Sequence, residues 1–514
     1  MKPQNKGYSY AGASTTKRAF KGYKATSGSP TEDIDYNNYT LRQRGRMAYM
    51  SQPIATSAIR TNRTNVIGVG LMPNPKINAE VLGISAVSAE NWEKKVKQEW
   101  KMWAEDKSAC DATGVNDFYS MQQLAFISWL TSGDVFAVRK NYDETFETPY
   151  SLRIQLIEAD RIRTPSDLSG NYVYVTDGKA KNGNSIHDGV EIDSNGKIVA
   201  YYVCNTYPYE ITINSTHFQR VEAYGSDTGL PIVMHVMNSE RPDQYRGVTY
   251  LAQIIEPLLS INRYTNSELM AALVESFLTV FIKTNVSADG MPYNMVPGQE
   301  EEMERYDPNE YEMGPGMMNV MNPGESIETV DPKRPASGFE NFVHAIATQM
   351  GAALEIPVDL LLKQFNSSYS ASRAALLEAW KSFKMYRSWF VSDFCKPIYK
   401  LWLSEAIAKG RISAPGFFTD RRLKEAWLGC EWIGPSQGQL DPVKEITAEI
   451  LAVQNGFTTN EDATIKLNGG DWNANMSKLE RETERMRKLN QEENITQNVI
   501  ENCIKNMYKE EQDA

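Results

Sequence analysis

The sequence predicts an α+β chain in which one strand-rich stretch is bracketed by helical ones. Three observations predict it. Residues 135–235 alternate apolar and polar side chains at period two, as in Leu152-Arg153-Ile154-Gln155-Leu156. On both sides of that stretch, apolar residues recur every three or four positions. The 514 residues are 41% hydrophobic and 23% charged, a globular profile. At ~150 residues per domain that length predicts three or four structural units.

The elements follow in order. The first 31 residues carry Lys2, Lys6, Lys17, Arg18, Lys21 and Lys24 and no acid, which predicts a mobile basic arm. From Leu41 the pattern turns helical, with Arg42, Arg44 and Arg46 ahead of Met47, Met50, Ile54 and Ile59. The apolar run Val66-Ile67-Gly68-Val69-Gly70-Leu71 stops at Pro73. It lacks the third glycine of a dinucleotide-binding loop. Trp92, Val96, Trp100 and Trp103 form one helical stripe; Phe118, Met121, Leu124 and Ile127/Trp129 form another. Both read as core faces.

Within the strand-rich stretch, Asn195-Gly196 between Val190–Ile192 and Ile198–Tyr201 predicts a hairpin. Residues 248–276 are again helical, with Leu251, Ile255, Leu258/Leu259, Asn262 and Leu269 on one face and a kink or break expected at Pro257. Residues 278–337 hold a short strand (Leu278–Lys283), Pro- and Met-rich loops, and a second strand near Glu325–Val330. A helix spans Gly338–Leu354 and ends at Ile356-Pro357, because the residue before a proline is pushed out of the α region. The polar stretch Asn366–Ser372 precedes a long helix over about Arg373–Phe394, whose buried face is Leu376/Leu377, Trp380, Phe383, Phe390 and Phe394. Short helices and a charged segment fill the last seventy residues.

Composition narrows the function. Lys and Arg number 54 against 65 Asp and Glu, a net charge of −11. Such a chain would not coat DNA tightly, since affinity for phosphate comes from cations, yet it could let DNA pass through a hole. No apolar run approaches the ~18–20 residues of a membrane helix. The basic N-terminus has no apolar run behind it, so no signal peptide is expected. Cys110, Cys204, Cys395, Cys430 and Cys503 are scattered without a CxxC, as reduced cytosolic thiols would be.

Catalytic signatures are absent from the sequence. The four histidines His187, His217, His235 and His344 stand apart, and there is no HExxH, phosphate-binding GxxxxGK[ST] loop or GxSxG. Asp227-Thr228-Gly229 matches an aspartic-protease tripeptide, but the polar Tyr224-Gly225-Ser226 before it predicts a simple turn. Glu158 and Asp160 read as a strand-end pair making structural hydrogen bonds. A metal-dependent DNA-processing enzyme, the alternative function, would need a clustered carboxylate set, and none has suitable spacing. A capsid shell or tail protein would have no reason for two long helices bracketing a small insert.

Six segments carry a resemblance. They are Leu41–Arg46 running on to Asn65–Gly70; Leu152–Arg161; Asp188–Asp193; His235–Met237 with Arg241–Val248; Ile356–Leu361 with Tyr369–Ala375; and Leu440–Glu445. In this order and spacing, across residues 40–475, they resemble the lambda-type family of tailed-bacteriophage portal proteins. The resemblance implies a portal fold and a dodecameric ring at one capsid vertex, the channel for DNA packaging and ejection. It implies as partners double-stranded DNA, the terminase large subunit, head-completion or adaptor proteins, and major capsid and scaffold proteins. It implies no cofactor, no metal, no membrane and no catalysis. The place would be the virion, with the host cytoplasm during assembly.

By the same resemblance the chain divides into a basic arm (1–40), a wing (41–247), a first stem helix (248–277), a clip (278–337) and a second stem helix (338–356). A tunnel loop (357–372), a long wing helix with its return (373–440), and a helical crown and tail (441–514) follow. The residues implied to face DNA are Lys363, Gln364, Asn366, Ser367, Ser368, Tyr369 and Arg373.

Overall fold

The helix expected from Leu41 starts earlier than that residue. One π-helical turn, Thr31–Asp35, leads directly into helix α1, Tyr36–Ser51. The polar run Tyr36-Asn37-Asn38-Tyr39 hid this start, because Asn disfavours helix interiors. The computed structural model describes residues 8, 11–168, 177–208, 210, 215–276, 280–284, 325–329, 338–365, 368–438 and 441–493. They form two compact units, Met1–Ile255 with Gly351–Ala514, and Glu256–Met350.

In chain order, α2 (Pro53–Val66) is followed by β1 (Met72–Pro75), α3 (Ala79–Leu82), α4 (Ala86–Ala104), α5 (Lys107–Cys110) and α6 (Phe118–Ser132). Eight strands follow: β2 (Asp134–Asn141), β3 (Leu152–Glu158), β4 (Asp177–Lys179), β5 (Ser185–His187), β6 (Val190–Ile192), β7 (Ile198–Cys204), β8 (Phe218–Glu222) and β9 (Val233–Met237). Next come α7 (Ile255–Ser276), β10 (Val280–Thr284), β11 (Glu325–Thr329), α8 (Phe339–Ala353), α9 (Val358–Leu362) and α10 (Tyr369–Phe390). The chain continues through α11 (Lys396–Ala408), α12 (Arg421–Trp427), β12 (Cys430–Ile433), α13 (Pro442–Gln454), α14 (Asn460–Asn468) and α15 (Trp472–Glu493).

All named strand pairs are antiparallel, in sheets ordered β3-β2-β9, β4-β5-β6-β7-β8, β1-β12 and β10-β11. The expected hairpin is β6–β7, with Gly196 at φ 79°, a left-handed conformation that glycine adopts without strain. Asp227–Gly229 lies in a tight turn closed by Gly225 N–H donating to Leu230 O. Phe136, Ile157, Val190, Tyr201 and Val233 make a core shared by the two larger sheets.

A second core of the first unit joins distant parts of the chain. Trp100 on α4 packs its ring 5.1 Å from Phe118, 5.6 Å from Tyr399 and 5.0 Å from Trp402. Phe394, in the π-helical turn Val391–Cys395 after α10, stacks on Phe118 and Phe390. The Trp100 stripe is therefore core, as expected. The α6 stripe needs correction: Leu124 is exposed, while Ala125, Phe126 and Trp129 are buried. Leu377 and the methionines Met47 and Met50 are also exposed.

Pro257 does not kink a helix. It lies in the first turn of α7, where its missing N–H has no partner to lose. The insert strands expected in 278–337 are present as β10 and β11, paired from Val280↔Thr329 to Thr284↔Glu325; the rest of that insert lies outside the described residues. Within the second unit Tyr264 stacks on Phe339 and meets Phe342 edge-on. Among the described residues, no helix is long and apolar enough to cross a membrane.

Candidate functional site

The segment from Ile356 to Arg373 is less of a loop than the sequence suggests. Pro357 caps a short helix, α9, and buried Leu360 and Leu361 hold it down. Ser57 Oγ on α2 donates to Leu361 O at 2.7 Å, and Tyr250 OH donates to Leu354 O just before the segment. The next helix, α10, opens at Tyr369, four residues before Arg373. Among the described residues between the two helices, Lys363–Phe365 and Ser368 are non-helical. Serine favours the N-cap position, and Ser368 takes it, with Ser372 N–H donating to Ser368 O.

Each expected site residue has a definite place or lies outside the described set. Lys363 adopts φ 58° at the C-cap of α9, and its Nζ donates to Thr61 Oγ1 at 2.8 Å. Burial pushes its pKa below the ordinary lysine value. Gln364 is exposed, with its N–H donating to Asp359 O. Asn366 and Ser367 lie outside the described residues, as does the Tyr369 side chain. Ser368 Oγ lies 3.5 Å from Ser370 Oγ. Arg373 Nη1 donates to Glu445 Oε1 on α13 at 2.6 Å. Lys363 and Arg373 are therefore bonded to different elements, α2 and α13.

Sequence reasoning missed a dense buried polar site of the first unit. Arg246 is fully buried beside fully buried Asp134. Its Nε donates to Asp134 Oδ2 at 2.7 Å and Nη2 to Asp134 Oδ1 at 3.2 Å. Nη1 donates to Ile162 O and Asp188 O, and Nη2 to Ala159 O. Buried Arg42 reaches Asp188 Oδ2 at 2.9 Å. Burial alone would raise the Asp134 pKa, but Arg246 and Arg42 hold it well below the usual carboxylate range. Asp35 moves the other way: burial, then the Asp188 charge, push it up to about 7.

Close backbone approach completes this node. A Cβ on Gly133 would lie 2.5 Å from Gly247 O, and one on Gly247 would overlap Gly133 O. Only two glycines fit there. Nearby, Arg46 pairs with both Glu158 and Asp160, so those carboxylates do make structural contacts. The available signal was the Arg42/Arg46 spacing, one helical face four residues apart. The node orients segments and has no exposed reacting group. Among the described residues, no group of three or more His, Cys, Asp or Glu could hold a metal ion.

Four of the segments that carry the resemblance meet at this node and its Arg46 neighbour, and the remaining two meet at Arg373–Glu445. Comparison with known proteins agrees. Residues 16–387 match the family model described as phage portal protein, lambda family. Portal protein B of Escherichia phage lambda is 23% identical over 495 residues, covering 92% of this chain and 90% of that protein. The portal protein of Escherichia phage N15 is 21% identical over 483 residues, covering 88% of each. A chain of the solved virion of a native gene transfer agent particle is 14% identical with a TM-score of 0.42, covering 84% of this chain and 93% of that one. The match over most of its length places the chain in a family: it belongs to the lambda family of phage portal proteins.

Proposed function

We propose that copies of this chain close into a dodecameric ring at one vertex of the capsid. Duplex DNA passes through its central channel during packaging and ejection. The terminase motor, and later the head-completion proteins, dock on the ring, which contacts the capsid and scaffold proteins during assembly in the host cytoplasm. The role is structural and not catalytic. The insert 278–337 is the docking clip, and the segment 357–372 faces the channel.

One observation carries the ring. On α7, Leu259 and Met270 are 46% and 59% exposed, and Leu269 is 59% exposed. Leu273 is 45% exposed and lies four and three residues after Leu269 and Met270, the spacings of neighbours on a helix surface. An exposed apolar cluster on a long helix is suited to being covered, and a heterologous contact between copies covers it and makes a ring where the rotation closes.

Negative-stain imaging of the purified full chain tests this. Rings with a central hole are expected, and Leu269→Glu with Met270→Glu should abolish them while helical circular dichroism persists. A monomeric or dimeric wild-type protein would overturn the proposal.

A further inference from the structure

We infer that α2 and Lys363 form a binding site for a backbone phosphate of duplex DNA, separate from the channel-loop tip. The inference rests on the channel proposal above.

The helix α2 has two unlike sides. Ala55, Ala58, Ile59 and Val66 are fully buried. Its outer side, together with Lys363, lines an open depression that includes Ser57, Arg60, Thr61, Arg63 and Thr64 and contains no carboxylate. Arg60 and Arg63 are three residues apart, neighbours on the helix surface. Among the described residues neither arginine, nor Lys363, takes part in an ion pair. In this chain of net charge −11, by contrast, Arg46, Lys97 and Arg411 each have an acid beside them.

The chemistry of the depression fits phosphate. Two guanidinium forks present planar donor pairs, and the hydroxyl of Thr64 adds a further donor. The Lys363 ammonium gives one of its three donors to Thr61 Oγ1 and keeps two. Desolvation without a neighbouring carboxylate weakens its hold on its proton, and a bound anion would restore it. A few such contacts per subunit grip DNA lightly, as a sliding channel requires, because the remaining acidic surface adds nothing to the affinity.

The test uses the assembled full-length protein and a short labelled duplex, with anisotropy read between about 50 and 200 mM salt. Arg60→Gln with Arg63→Gln should weaken binding and flatten the salt dependence by about 0.9 in log–log slope for each phosphate that is no longer neutralised. Arg421→Gln with Arg422→Gln, an equal charge change at the exposed start of α12, should leave both unchanged. Lys363→Met should also flatten the slope, and it carries the test should the arginine pair lower the melting temperature. Equal losses in both arginine pairs, or none in either, would overturn the site. Inorganic phosphate titrated alone separates the sources: phosphate binding lost in the α2 variant while duplex binding is unchanged would make this a free-anion site and overturn the DNA assignment. Intact rings in a failed test leave the ring proposal standing.

Discussion

Replacing Arg246 by Met should damage the first unit more than any other single arginine change. The substitution removes both bonds to Asp134 and the donors to the carbonyls of Ala159, Ile162 and Asp188. Breaking a buried ion pair by deleting one partner costs about 3–5 kcal/mol. Each orphaned carbonyl adds about 1–3 kcal/mol unless water reaches it. His235 Nε2 and Gly247 N–H still face Asp134, which offsets part of the loss. The net expectation is about 5 kcal/mol. At a urea slope of about 3 kcal/mol/M the midpoint falls by about 1.7 M. Tryptophan fluorescence reads this directly, since Trp100, Trp103 and Trp402 are buried in the same unit. Arg246→Lys keeps the charge but not the fork, so it should fall about halfway. A midpoint for Arg246→Met within about 0.3 M of wild type would show that the node does not hold these segments together.

Asp35 gives a pH signature: its folded carboxyl holds a proton to about pH 7, so stability from this group is full below about pH 4 and is lost as pH rises through 7. Asp35→Asn should flatten that dependence and stabilise at pH 8 by up to about 4 kcal/mol, read from melts at pH 5 and 8. Gly247→Ala should cost about 3 kcal/mol or more, because the two backbones must part, and soluble yield with melting temperature checks it. Arg373 and Glu445 are partly exposed, so a double-mutant cycle with Gln at each should give a coupling of only about 0.2–1 kcal/mol.

What could be read in advance follows from sequence distance. Periodicity and breakers located β6–β7, the α7–insert–α8 order and the stop at Pro357, because each depends on residues within a few positions. The Arg246 node was invisible. Asp134 lies 112 positions before its partner, and a lone arginine in Tyr245-Arg246-Gly247 looks solvated until the fold encloses it. At the candidate site, the resemblance implies Lys363 and Arg373 as residues facing DNA. It does not point to Thr61 and Glu445, which lie 302 and 72 positions away. Leu124 failed for another reason. Helix α6 is buried over most of its circumference, so a single stripe could not say which side is left outside.

The pairing of β1 with β12 has a temporal side. Met72–Pro75 finds its partner only at Cys430–Ile433, roughly 360 residues later along the chain. At a synthesis rate of about 5–20 residues per second, the first strand emerges some 20–70 seconds before its mate exists. For that interval it is a bare edge, open to pairing with any other nascent chain. Its sequence is Met-Pro-Asn-Pro, and two of its four residues have no N–H to offer such a partner. The prolines that made this segment look like a terminator of structure make it a strand that can stand unpaired on a crowded ribosome until the C-terminal half arrives.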